Sequence, residues 1–160
     1  MLLRPKTVFE KIHGSARHLS RNAAVQAVYQ MEQNPADRSD VVRQFLQSRF
    51  KDDVKGTIDP DLKFFTAITQ FLAEDLSIFD SQIIEHLREQ WKIERLPSVS
   101  RSVLRCAIYE LYHEPAVPTL VVINEYVEVS KGFLDKKDVG FIHSVLDQLA
   151  AKIRKPVTVD

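Results

Sequence analysis

Apolar residues return along this chain at intervals of three and four almost throughout, and no segment shows the period-two alternation bounded by hairpin turns that marks a strand. The pattern predicts an all-α protein of six to seven helices. Ser20 offers an N-cap for a first helix that sets Ala24, Ala27, Val28 and Met31 on one face, widened by Val25 and Tyr29. "QNPADRSD", with Pro35, interrupts it, and a second helix groups Val42, Phe45 and Leu46 before Gly56 and Pro60 mark a loop in "KDDVKGTIDP". From Asp61 onward Phe65, Ile68, Leu72, Leu76, Phe79, Ile83 and Leu87 recur at threes and fours. A single helix over that stretch would run to roughly 40 Å, more than a small domain's width. A break is therefore expected in "EDLSIFD", with Ser77 or Asp80 capping the new start.

Pro97 marks a turn, Ser98 or Ser100 caps the next helix, Leu104, Ala107, Ile108 and Leu111 face inward, and Pro115 stops it. The greasiest stretch, "VPTLVVINEYVEVSKGF", begins like a strand, but Val122, Tyr126, Val129 and Phe133 fall at spacings of four, three and four, with Ile123, Val127 and Ser130 in the adjoining row. It is read as a helix with Pro118 in its first turn. Asn124 and Glu125 on that helix are expected to satisfy the open N–H groups of another helix end. A last helix sets Ile142, Val145, Leu146, Leu149 and Ile153 on one seam.

Composition changes this picture little. A chain of 160 residues with 44% hydrophobic and 28% charged side chains can bury one compact domain or two small subdomains sharing a core. No apolar run approaches the length needed to cross a bilayer, and the first residues lack the apolar core of a signal peptide, so a cytoplasmic protein is expected. Cys106, the single cysteine, lies among Leu104, Ala107 and Ile108 and reads as a small core residue.

Charge adds more. The formal net charge is zero, yet residues 1–21 hold Arg4, Lys6, Lys11, Arg17 and Arg21 against Glu10 alone. An electropositive leader on a mildly acidic body suggests local contact with phosphate or an acidic partner, or else a solubilising tail.

Catalytic chemistry finds little support. Four glycines, at 14, 56, 132 and 140, cannot form a phosphate-cradling loop of the G-x-G-x-x-G or P-loop kind. Histidines 13, 18, 86, 113 and 143 lack zinc-ligand spacing. Asp52 with Asp53, Glu74 with Asp75, and Glu85 with Glu89 read as solvated helix-surface groups, and Gly14-Ser15 has no nucleophile-elbow context. A non-enzymatic protein without metal or cofactor is expected.

Three segments, "SRNAAVQAVYQ", "VSRSVLRCAIYEL" and "VPTLVVINEYVEVSKGF…GFIHSVLDQLA", follow one another in an order and spacing that resembles the NusB family over roughly residues 17 to 150. The resemblance implies two packed three-helix-type subdomains, about 17–76 and 77–155, between a basic leader (1–16) and a short tail (156–160). It implies a transcription antitermination factor that binds boxA-type single-stranded RNA together with NusE, a ribosomal small-subunit protein, within the transcription elongation complex on rRNA operons. Carried onto this chain, the RNA contacts are Lys11, Arg17, Arg21, Tyr29, Arg101 and Phe141; Tyr29 and Lys137 face the partner; Arg105, Glu110, Asn124 and Glu125 are framework. These residue types suit single-stranded RNA, since guanidinium groups neutralise phosphate and aromatic rings stack on unpaired bases. Tyr29 and Phe141 can equally pack, and Arg101 can equally complement Glu94.

The chain departs from the family pattern at several positions. His18 and Leu19 stand where further arginine is common, Leu120 and Gly140 replace lysines, Ser144 replaces a glycine, and Lys137 and Ser100 replace acidic residues. Two other readings remain open at this level. One is a helical protein–protein module with weak or no RNA binding; the other is the RNA-recognition part of an rRNA cytosine methyltransferase. Exposed apolar residues in the middle helices would also allow a homodimer of the free protein.

Overall fold

In the computed structural model, which describes residues 16–49, 60–87 and 92–155, the described residues form helices and no strand. Helix α1 spans Ala16–Gln33, a 3₁₀ turn follows at Pro35–Asp37, and α2 (Arg38–Gln44) runs on into a π-helical turn, Phe45–Arg49. Helices α3 (Leu62–Glu74), α4 (Asp80–Ile84), α5 (Ser98–His113), α6 (Thr119–Lys131) and α7 (Lys136–Ile153) complete the described chain, with a 3₁₀ turn at Ile93–Arg95 before α5. The chain divides between Glu74 and Asp75 into two compact units.

In the first unit α1 packs chiefly on α3, and α2 packs against both. Ala24, Ala27, Val28 and Met31 of α1, Val42 and Phe45 beyond it, and Phe65, Ile68 and Leu72 of α3 are buried together as the apolar periodicity predicts. The Phe45 and Phe65 rings stack with centroids 5.7 Å apart. Such a pair adds roughly 0.5–1.5 kcal/mol beyond the area it buries.

The start of α1 differs from expectation. The helix begins four residues before Ser20, which is buried within it. Its hydroxyl donates to the Ala16 carbonyl at 3.0 Å and the Asp61 carbonyl at 2.9 Å, so it ties α1 to the entry of α3 instead of capping a helix. Asp61 is the cap: its Oδ1 accepts from the Phe64 N–H at 3.0 Å.

The second unit is built round α5, whose residues from Ser102 to Leu111 are all buried. A helix covered on every side is apolar or internally satisfied on every side. Helices α6 and α7 pack on it and on each other. Two charged residues lie in this core. Arg105 donates from Nε to Asp80 Oδ1 at 3.0 Å and from a terminal nitrogen to Oδ2 at 2.9 Å, while Glu110 accepts from the Tyr126 hydroxyl at 2.9 Å.

Helix starts are where the structure departs most from expectation. The break after α3 is present, but neither Ser77 nor Asp80 caps α4: Phe79 holds that position without a side-chain cap, and the Asp80 carboxylate goes to Arg105. Asp75 accepts instead from the Ser77 N–H and hydroxyl. Helix α4 ends at Ile84, so Leu87 lies beyond it. Pro97 and Pro118 occupy the N-cap positions of α5 and α6 without side-chain caps, leaving Ser98 as the first residue of α5 and Ser100 buried within it. Helix α7, like α3, has the expected kind of cap, Asp135 accepting from the Asp138 N–H at 2.9 Å.

Candidate nucleic-acid interface

Arg17 and Arg21 lie one turn apart on α1, so both side chains emerge on the same face. Across from them is Phe64, the third residue of α3. The Arg17 guanidinium carbon sits 4.6 Å from the centre of that ring and the Arg21 carbon 5.3 Å from it. Both distances fall within cation–π range. Arg17 Nε also lies 3.6 Å from Asp61 Oδ2, and the Arg17 side chain remains 40% exposed.

Arg21 differs sharply. It is only 2% exposed, so its guanidinium is part of the α1–α3 contact. Of the two arginines expected to contact RNA, Arg17 is thus the accessible one in this structure and Arg21 the covered one. Tyr29, further along α1, is 38% exposed and keeps an accessible ring. Lys11 lies outside the described residues.

In the second unit Arg101 is half-buried near the start of α5. One terminal nitrogen donates to the carbonyls of Ile93, at 3.0 Å, and Leu96, at 2.5 Å; the other donates to the Ser98 hydroxyl at 3.0 Å. Arg101 therefore fastens the 3₁₀ turn to α5. These contacts go to two backbone carbonyls and a hydroxyl.

Lys137 and Phe141 lie one turn apart at the beginning of α7. Lys137 is exposed, and Phe141 is half-buried beside the fully buried Ile142. An ammonium in the first turn of a helix opposes the helix dipole. Its position is thus unfavourable to the helix itself.

Among the expected framework residues, Arg105 and Glu110 hold the core contacts given above, and Glu125 is half-buried. Asn124 is exposed, so the side chain meant to satisfy a buried helix end faces solvent. A helix end that a side chain does close is of the opposite kind, a C-terminal one, and the residue is Arg154. Its guanidinium donates to the carbonyls of Leu111 (3.0 Å), Glu114 (2.9 Å) and Val117 (2.5 Å), and to the Thr119 hydroxyl (3.2 Å), closing the C-terminal end of α5 and the connection to α6.

Burial pushes the Cys106 thiol far above its ordinary range, with Glu110 adding to the effect and Arg105 opposing it. A thiol so held stays protonated and unreactive. Among the described residues no three His, Cys, Asp or Glu side chains gather as a metal site, and no helix is long and apolar enough to cross a membrane.

Residues 18–151 match the model of the NusB family. The chain is 40% identical over 140 residues to the transcription antitermination protein NusB of Caulobacter vibrioides, covering 86% of this chain and 94% of that protein. It is 33% identical over 153 residues to the protein of the same name from Bradyrhizobium diazoefficiens, covering 94% and 92%. Among solved structures it is similar to T. maritima NusB, with a TM-score of 0.70 and 28% identity over 85% of this chain and 91% of that one.

Proposed function

Because the chain belongs to the NusB family, we propose that it is a non-enzymatic transcription antitermination factor. In this reading it binds boxA-type single-stranded RNA jointly with the ribosomal protein NusE and supports transcription of rRNA operons by the elongation complex. Family membership carries the assignment, and the half-exposed Arg17 guanidinium at the start of α1 is the feature that best supports an RNA contact. Arg17 and Lys11 neutralise phosphates, Phe141 offers a stacking face, and Tyr29 and Lys137 face the protein partner. Arg21 and Arg101 serve the site indirectly, through the contacts that occupy them.

The test is a fluorescence titration with boxA-type RNA, with and without NusE, at several salt concentrations. A few phosphate contacts to a single strand give a log–log slope of about −0.7 for each. Phe141→Ala is expected to weaken RNA binding about 5- to 150-fold, the equivalent of roughly 1–3 kcal/mol for a lost base stack, and to leave melting temperature nearly unchanged. A large fall in melting temperature would assign Phe141 to the core.

A second reading, a protein–protein module with little RNA affinity, draws support from α6. Leu120 is 71% exposed where the family pattern has lysine, and Val121 beside it is also exposed. Salt-insensitive capture of NusE without RNA would favour it. The methyltransferase reading gains nothing from the relatives, which this chain matches over 92–94% of their own length.

A further inference from the structure

Asp61 and Phe64 belong to none of the segments that carry the family resemblance, yet both meet Arg17. The Phe64 ring is buried and lies under two guanidinium groups, at 4.6 and 5.3 Å. A flat cation laid over a ring loses the freedom to swing, so its donors keep one direction. Asp61 divides its two oxygens: Oδ1 caps α3 at Phe64 N, and Oδ2 lies 3.6 Å from Arg17 Nε. The pair is long and partly solvated, with side-chain exposures of 40% and 33%, which makes it weak and replaceable. A phosphate, by contrast, can accept two parallel guanidinium hydrogen bonds.

We infer that Asp61 and Phe64 are positioning residues for the RNA contact made by Arg17: Phe64 fixes the plane of the guanidinium, and Asp61 restrains it while competing with phosphate for it. The inference rests on the RNA-binding reading proposed above. Asp61 is then a built-in brake on affinity, and the brake is separable from the cap. Asparagine caps a helix as well as aspartate does and carries no charge.

The experiment is titration of the full chain, with NusE present, against labelled boxA-type RNA, alongside melting curves. Asp61→Asn is expected to bind about two- to fivefold tighter than wild type, the range of a weak exposed ion pair, with an unchanged melting temperature. That gain should vanish in an Arg17→Ala background, which a merely structural role for Asp61 would not produce. Phe64→Leu, which keeps an apolar side chain and removes the ring, should bind about two- to fivefold more weakly, and Phe64→Tyr, which keeps the ring face, should restore binding. If wild type binds RNA but Asp61→Asn binds equally or more weakly, or its gain survives without Arg17, the inference is overturned and the RNA reading stands. If wild type binds no RNA at all, both fall together.

Discussion

Arg17 and Arg21 share one helix face and one ring, yet only Arg17 keeps a substantial share of its side chain in solvent. Nothing in their i, i+4 spacing separates them. The difference arises in tertiary packing, and even the ring they share, Phe64, is more than forty positions away, where the α3 seam position is Phe65. Arg154 was invisible for a similar reason: it follows the last seam residue, and its partners are carbonyls 37 to 44 positions earlier and a hydroxyl 35 positions earlier. Asp80 and Arg105 form another non-local contact, with side-chain exposures of 18% and 6%. Removing one partner of a buried pair strands the other's charge, so Asp80→Ala should cost about 3–5 kcal/mol in denaturant unfolding. Asp80→Leu combined with Arg105→Met should recover most of that loss. Cys106 gives a residue-scale test in pH. Its folded thiol sits far above the ordinary value of about 8.5, so folded and unfolded chains bind the same proton below that pH, and only the unfolded chain releases it above. Stability should therefore fall as pH rises past about 8.5, and Cys106→Ala should remove that component. The native thiol should resist a disulfide reagent until denaturant is added.

At the scale of elements, the apolar periodicity was a good guide to where helices lie and a poor one to where they start. Interior seams such as Ile142, Val145, Leu146 and Leu149 are repeated signals, each reinforcing the next. A helix start is set by one or two residues, and here several starts use proline or phenylalanine in the cap position without a side-chain hydrogen bond. Ser20 looked like a cap and instead bonds to the carbonyl of Asp61, a partner no local pattern contains. Helix α7 supports predictions at two positions, Gly140 and Lys137. Gly140 is exposed in mid-helix, and a Cβ there would meet nothing within 4 Å. Gly140→Ala should stabilise the protein by about 0.5–1 kcal/mol in denaturant unfolding. Gly140→Lys, which adds a cation beside Lys137 and Phe141, should in addition tighten RNA binding. Lys137→Asp should stabilise α7 by about 0.3–1 kcal/mol through the helix dipole while weakening the assembly with NusE and RNA. A variant that is more stable and assembles equally well would remove Lys137 from the interface.

For the whole molecule, the all-α class was legible because helical period dominates nearly every window of the chain, and the family because three separated segments keep their order. The chemistry of the site was legible only in outline. Basic residues near the start of the chain pointed to phosphate, but their division into exposed and buried depended on packing between α1 and α3. The candidate contacts fall in both units, Arg17 and Tyr29 in the first, Lys137 and Phe141 in the second, so each unit's share of binding can be measured through its own variants. The most direct measurement is the salt dependence of boxA-type RNA binding, with NusE present, for wild type and Arg17→Ala. Loss of one phosphate contact should make the log–log slope shallower by about 0.7 while the melting temperature holds. Equal slopes for the two proteins would contradict an RNA contact at the head of α1.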